Sequence, residues 1–175
     1  RGRDAFAGAA FTSFDRDTFE AELLTFINRQ NEAWVEAPRR LSPRLLIDLL
    51  RFSGEETQRY FQSLDLFALG EPVSWAGPEP TPVWLDVARE YTERWLHHQQ
   101  VRDAVGKPGL KEPRLFAPVL DTLVRALPHT FRDVWAPAGT HVRLTIAGDA
   151  GGEWSLLRGE GRWGRRAGGS AAQAR

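Results

Sequence analysis

The sequence predicts a mainly α-helical protein that ends in a short β ribbon. Between residues 17 and 127, apolar side chains recur at steps of three and four, which is the spacing of one helix face. Proline and glycine interrupt this pattern where helices are expected to start or stop. After Pro137, polar and apolar residues alternate, which is typical of a strand with one buried face.

Four helices are expected, near residues 17–37, 43–65, 82–105 and 113–127. Asp17 and Glu20 have the spacing of a capping box at the start of the first helix. Ser42 and Thr81 each precede a proline, which places a capping residue before a helix start. Gly106 stands where a left-handed residue would end the third helix.

The connection between the second and third helices is expected to be irregular, because residues 67–82 contain four prolines. Val73 and Trp75 lie within this connection, and such apolar side chains indicate that it packs back onto the helices. Gly54 is a point at which the second helix can break.

The change of pattern divides the chain into a helical domain, residues 1–137, and a partial C-terminal domain, residues 138–163. Strands are expected only after residue 138, at 141–146 and 153–157, and a third can follow the turn before Trp163. A ribbon of two or three strands is not stable alone, so we expect it to dock on the helices or to lack partners. Residues 164–175 have no apolar pattern and are expected to form a disordered tail.

The composition argues against several classes of function. The 23 basic and 23 acidic side chains cancel, which disfavours a nucleic-acid surface or a polybasic membrane anchor. The absence of cysteine excludes disulfides, thiolate metal sites and a cysteine nucleophile. The apolar runs are too short to span a bilayer and the first residues contain no apolar signal-peptide region, so we expect a cytoplasmic protein.

One helical stretch, residues 89–106, carries the candidate chemistry. Glu93 and His97 are four residues apart and share a helix face, which we expect to point into the helical bundle, and Glu90 lies close to the same line. Valines flank this line at both ends, which suggests a buried stripe, and burying carboxylates is costly unless they are paired or bind a metal. Imidazole and carboxylate together suit zinc, nickel, iron or manganese better than calcium.

The same spacing is also typical of exposed ion pairs. Glu90 with Arg94, and Glu93 with His97, are ordinary i,i+4 combinations on a helix surface. The spacing alone favours this second interpretation, and the flanking valines bring the two interpretations level.

The other histidines have simpler interpretations. His98 points about 100° away from His97 around the helix, so we expect a structural or supporting role. His129 and His141 lie in loop and strand-edge contexts, where structural roles are expected. The opposite stripe of the helix is aromatic and indicates packing: Trp84, Tyr91 and Trp95.

Three segments resemble the mycothiol-dependent maleylpyruvate isomerase family, within the DinB-like metal-binding superfamily. The first is GEPVSWAGPEPTPVWLDVAREYTERWLHHQQVRDAVGKPGL, and the second is PRLFAPVLDTLVRALPHTFRDV. The third, HVRLTIAGDAGGEWSLLRGEGRW, is similar to the small C-terminal α/β domain of that family, which is akin to sterol-carrier-protein domains.

The resemblance implies a DinB-like four-helix bundle with a three-ligand divalent metal site. Glu93 and His97 match two ligands in the E-x-x-x-H pattern, and Glu90 would orient His97 or act as a base. The implied metal is zinc, with nickel as the alternative. Family members bind mycothiol, a low-molecular-weight thiol, through the metal, and the thiolate attacks a small-molecule electrophile.

The sequence departs from the family pattern at both ends. No histidine precedes His97, so the first bundle helix with its metal ligand is expected to be missing, and the C-terminal domain stops after Trp163. Two functions remain. One is a metal-binding, mycothiol-dependent isomerase or transferase. The other is a non-catalytic truncated homologue that oligomerises, for example as a homodimer, or binds a helix in the vacant apolar groove.

Overall fold

In the computed structural model, residues 19–166 are described, and the chain divides into two compact units, residues 1–60 and 61–175. The helices are α1 (Phe19–Glu36), α2 (Pro43–Gln62), α3 (Val83–Ala104), α4 (Pro113–Leu123) and α5 (Leu127–Thr130). The strands are β1 (Leu69–Pro72), β2 (Pro80–Pro82), β3 (His141–Ile146), β4 (Gly152–Arg158) and β5 (Trp163–Arg166). The predicted mainly helical fold with a small antiparallel sheet is therefore confirmed.

The first unit contains α1, a 3₁₀ turn and most of α2. The hydroxyl of Ser42 accepts a hydrogen bond from the Leu45 amide at 3.2 Å, so the predicted capping residue of α2 is confirmed. The helix continues through Gly54, because one glycine costs only about 1 kcal/mol in a helix interior. The capping pair predicted at Asp17 and Glu20 lies outside the side chains that the structure describes.

The connection before α3 forms a two-stranded antiparallel ladder, in which Leu69 pairs with Pro82. The prediction that strands occur only after residue 138 is therefore wrong. Proline fixes an extended backbone and is tolerated on edge strands, and both strands of a two-stranded ladder are edges. The expectation that this connection packs inward is confirmed, since Val73 is buried.

The first amide of α3 is hydrogen-bonded by a backbone carbonyl rather than by the predicted capping side chain. The Val83 amide donates to the Ala68 carbonyl at 3.0 Å, whereas the Thr81 hydroxyl donates to the Glu71 carbonyl across the ladder. The prediction of Thr81 as the capping residue is therefore wrong. At the other end, Gly106 adopts the left-handed conformation with φ of 63°, as predicted.

The second sheet has the strand order β3-β4-β5 and is antiparallel throughout. It docks on α5 and the segment after it through Trp163, whose indole N–H donates to the Val134 carbonyl at 2.9 Å and whose ring meets Phe131 edge-on. The predicted docking is confirmed. Gly164 to Arg166 belong to β5 rather than to the predicted tail, and residues 167–175 lie outside the described chain.

Contacts between the sheet and the helices cross the predicted boundary between residues 1–137 and 138–163. The Arg165 guanidinium on β5 lies 3.5 Å from the Asp121 carboxylate on α4. The second unit thus combines helices and both sheets around buried apolar side chains, which are Val73, Leu85, Val119, Leu120, Val124, Ala150, Leu156 and Trp163. No helix within residues 19–166 has the length and apolar character needed to cross a bilayer.

Candidate functional site

Helix α3 places three polar side chains along one side. Glu93, His97 and Gln100 follow one another at steps of four and three residues, which align on a helix surface. The Glu93 Oε2 atom lies 3.9 Å from His97 Nε2, and the His97 Nδ1 atom lies 3.0 Å from Gln100 Oε1. The predicted shared face of Glu93 and His97 is therefore present.

The contact with Gln100 orients the His97 ring. In the tautomer that carries its proton on Nδ1, the ring donates a hydrogen bond to the Gln100 amide oxygen, which can only accept. In that tautomer the Nε2 lone pair lies on the side of the Glu93 carboxylate, where a cation between the two groups would meet both donors. Metal-binding histidines are held in the same way, with one ring nitrogen donating to an oxygen and the other directed at the ion.

The site is open to solvent. The side chains of Glu93 and His97 are 59% and 70% exposed, so the expectation that they point into the bundle is wrong. The valines at the C-terminal end of this stripe are themselves exposed, since Val101 and Val105 each retain 62% of their accessible surface, whereas Val83 and Val87 at the other end are partly buried. The cost of burying carboxylates therefore gives no argument for a metal at this place, and the argument depends on the two donor atoms alone.

Glu90 lies apart from this pair. Its carboxylate is 3.4 Å from the guanidinium of Arg89, which also contacts Asp86 at 3.2 Å. Seven residues separate Glu90 from His97, a rise of about 10 Å along the helix. The side chain that contacts His97 Nδ1 is Gln100, which the sequence analysis did not single out, although a glutamine three residues after a histidine has the required spacing.

The remaining histidines lie elsewhere. His98 is exposed on α3, His141 is exposed at the start of β3, and His129 is partly buried in α5. Among the side chains that the structure describes, residues 24–165, no group of three or more histidine, aspartate and glutamate side chains has a metal-binding arrangement. Glu93 and His97 thus form a pair, and the described side chains place no third histidine or carboxylate with them.

Comparison of the chain with protein-family models, curated proteins and solved structures found no match. The resemblance to the maleylpyruvate isomerase family, and the DinB-like arrangement that it implies, therefore stay predictions.

Proposed function

We propose that this chain is a metal-binding protein of the mycothiol-dependent maleylpyruvate isomerase type. The observation that supports the proposal is the donor pair on α3, in which Glu93 Oε2 and His97 Nε2 lie 3.9 Å apart. Two ligands of a tetrahedral zinc ion lie about 3.4 Å apart when each bond is about 2.0–2.1 Å long. Small rotations of two exposed side chains on a rigid helix are enough to close that difference.

The residues have separate roles in this proposal. Glu93 and His97 would bind the ion, and the Gln100 amide oxygen would accept a hydrogen bond from Nδ1 so that Nε2 is free for the metal. A bound zinc or nickel ion would stabilise the thiolate form of mycothiol at neutral pH, and that thiolate would attack a small-molecule electrophile. Glu90 is the proposed base, since it is the carboxylate about one turn before Glu93 and is accessible to solvent.

The proposal is tested by calorimetric titration of zinc and nickel into four proteins. The wild type should bind one ion, with lower affinity than a site with three protein ligands. The His97→Ala variant should lose binding and Glu93→Gln should weaken it. The matched control is His98→Ala, which alters the neighbouring exposed histidine and should leave most binding intact. Equal losses from the two histidine variants, or no binding by the wild type, would contradict the assignment.

A second candidate function is a non-catalytic module that pairs with a second copy of the chain. It is favoured by the large apolar side chains that the first unit exposes, among them Trp34, Leu50 and Phe52. The metal titration separates the two candidates, because only the first requires stoichiometric binding. Concentration-dependent association in an ultracentrifuge, without metal binding, would support the second.

A further inference from the structure

A groove of about 480 Å³ lies between α3 and α4 in the second unit. Its walls are largely apolar, with Trp84 and Tyr91 on one side and Leu115 and Pro118 on the other. The volume falls in the range of about 300–1,000 Å³ that is usual for small-molecule sites. Tyr91 and Glu93 are two residues apart and so point about 200° apart around α3. The groove is therefore separate from the candidate metal site.

The two walls are held at a fixed spacing. The Tyr91 hydroxyl donates to the Leu115 carbonyl at 2.8 Å, which ties the middle of α3 to the first turn of α4. One turn further along α3, the Trp95 ring stacks on Phe116 with the ring centres 4.7 Å apart. These contacts do not involve a ligand, so the groove is formed in advance and binding requires little rearrangement.

Two arginines lie at the groove, and only one of them has a carboxylate partner. The Arg125 guanidinium covers the Trp84 ring at 4.6 Å and is neutralised by Asp121, whose carboxylate lies 2.8 Å away. Arg114 is the charged residue that lines the groove itself, and it is exposed. Among the residues that the structure describes, no carboxylate pairs with Arg114.

We propose that this groove binds a carboxylate that carries an apolar chain, such as a medium-chain fatty acid. The Arg114 guanidinium would hold the carboxylate, because its planar pair of N–H groups matches the two carboxylate oxygens. The chain would lie along Trp84 and Tyr91, where burial of its methylene groups removes apolar surface from water. A neutral ligand would gain the burial of its methylene groups but not the bond to the Arg114 guanidinium.

The test uses decanoate as the probe and decanol as its neutral counterpart, in buffer with a chelator so that metal binding plays no part. Arg114→Gln should weaken decanoate binding about tenfold, because a charge-assisted hydrogen bond is lost, and should leave decanol binding unchanged. The decanoate affinity of Arg114→Lys should lie between those of the wild type and Arg114→Gln. The matched control is Arg44→Gln, an exposed arginine in the first unit, which should bind decanoate like the wild type.

The position of the ligand is checked by the indole N–H signals in NMR spectra. Decanoate should shift the signal of Trp84, which lines the groove, and leave that of the exposed Trp135 in place. Arg114 is exposed, so its replacement should not alter thermal unfolding. Failure of decanoate to bind the wild type, equal affinities of wild type and Arg114→Gln, or a shift at Trp135 alone would overturn the proposal.

Discussion

Replacement of Trp163 by alanine should detach the C-terminal sheet from the helices. The Trp163 side chain is 4% exposed and donates a hydrogen bond to the Val134 carbonyl. Its ring centre lies 5.4 Å from that of Phe131. Truncating a buried aromatic side chain costs about 3–5 kcal/mol. Because β5 is an edge strand and the cavity can partly relax, we expect the free energy of unfolding to fall by about 3 kcal/mol. Trp163→Phe keeps most of the ring and loses the hydrogen bond, so about 1 kcal/mol is expected.

The assay is urea unfolding followed by far-ultraviolet circular dichroism, with hydrogen exchange as a local readout. Trp135→Ala is the control, because Trp135 is 82% exposed and its loss should change stability by less than about 0.5 kcal/mol. In Trp163→Ala, the amides of β4 and β5 should exchange faster than in the control. A loss for Trp163→Ala no larger than that for Trp135→Ala would refute docking through this indole.

The remaining stability predictions concern helix interiors and ends, and all are measured by the same urea titrations. Gly54→Ala should stabilise by about 0.5–1 kcal/mol, since the position is helical and an added Cβ meets nothing within 4 Å. Gly106→Ala should destabilise by about 1 kcal/mol, because φ is 63° there. Equal effects of the two glycine changes would contradict the left-handed conformation at the end of α3. Ser42→Ala should cost about 1 kcal/mol through loss of the bond to the Leu45 amide, whereas Ser53→Ala inside α2 should cost less than half of that.

The ends of several helices could be predicted from the sequence because they depend on neighbouring residues. The Ser42 hydroxyl reaches an amide only three residues away, and Gly106 needs no partner beyond its own turn. The β1–β2 ladder could not be predicted in this way. Its pairing of Leu69 with Pro82 spans thirteen residues, and its prolines indicated an irregular segment. The Thr81 hydroxyl was therefore assigned to α3, whereas it bonds across the ladder.

The candidate site was predictable in its spacing but not in its surroundings. Helical geometry alone places Glu93 beside His97, and the structure confirms this proximity. Whether that side of α3 is covered depends on neighbouring elements, which the periodicity of Val101 and Val105 does not specify. The contact between His97 and Gln100 depends on a spacing of three residues along the helix, so it could have been predicted from the sequence.

The most direct test of the proposed metal site is the response of the four histidine rings to zinc in nitrogen-15 NMR spectra. The structure places His97 Nδ1 at 3.0 Å from Gln100 Oε1 and directs Nε2 toward Glu93. We therefore expect zinc to shift the His97 Nε2 resonance to the range of metal-bound nitrogen while Nδ1 stays protonated. The rings of His98, His129 and His141 should not respond. The proposed site would be contradicted if zinc left the His97 Nε2 resonance unchanged or if zinc shifted the resonances of a different histidine.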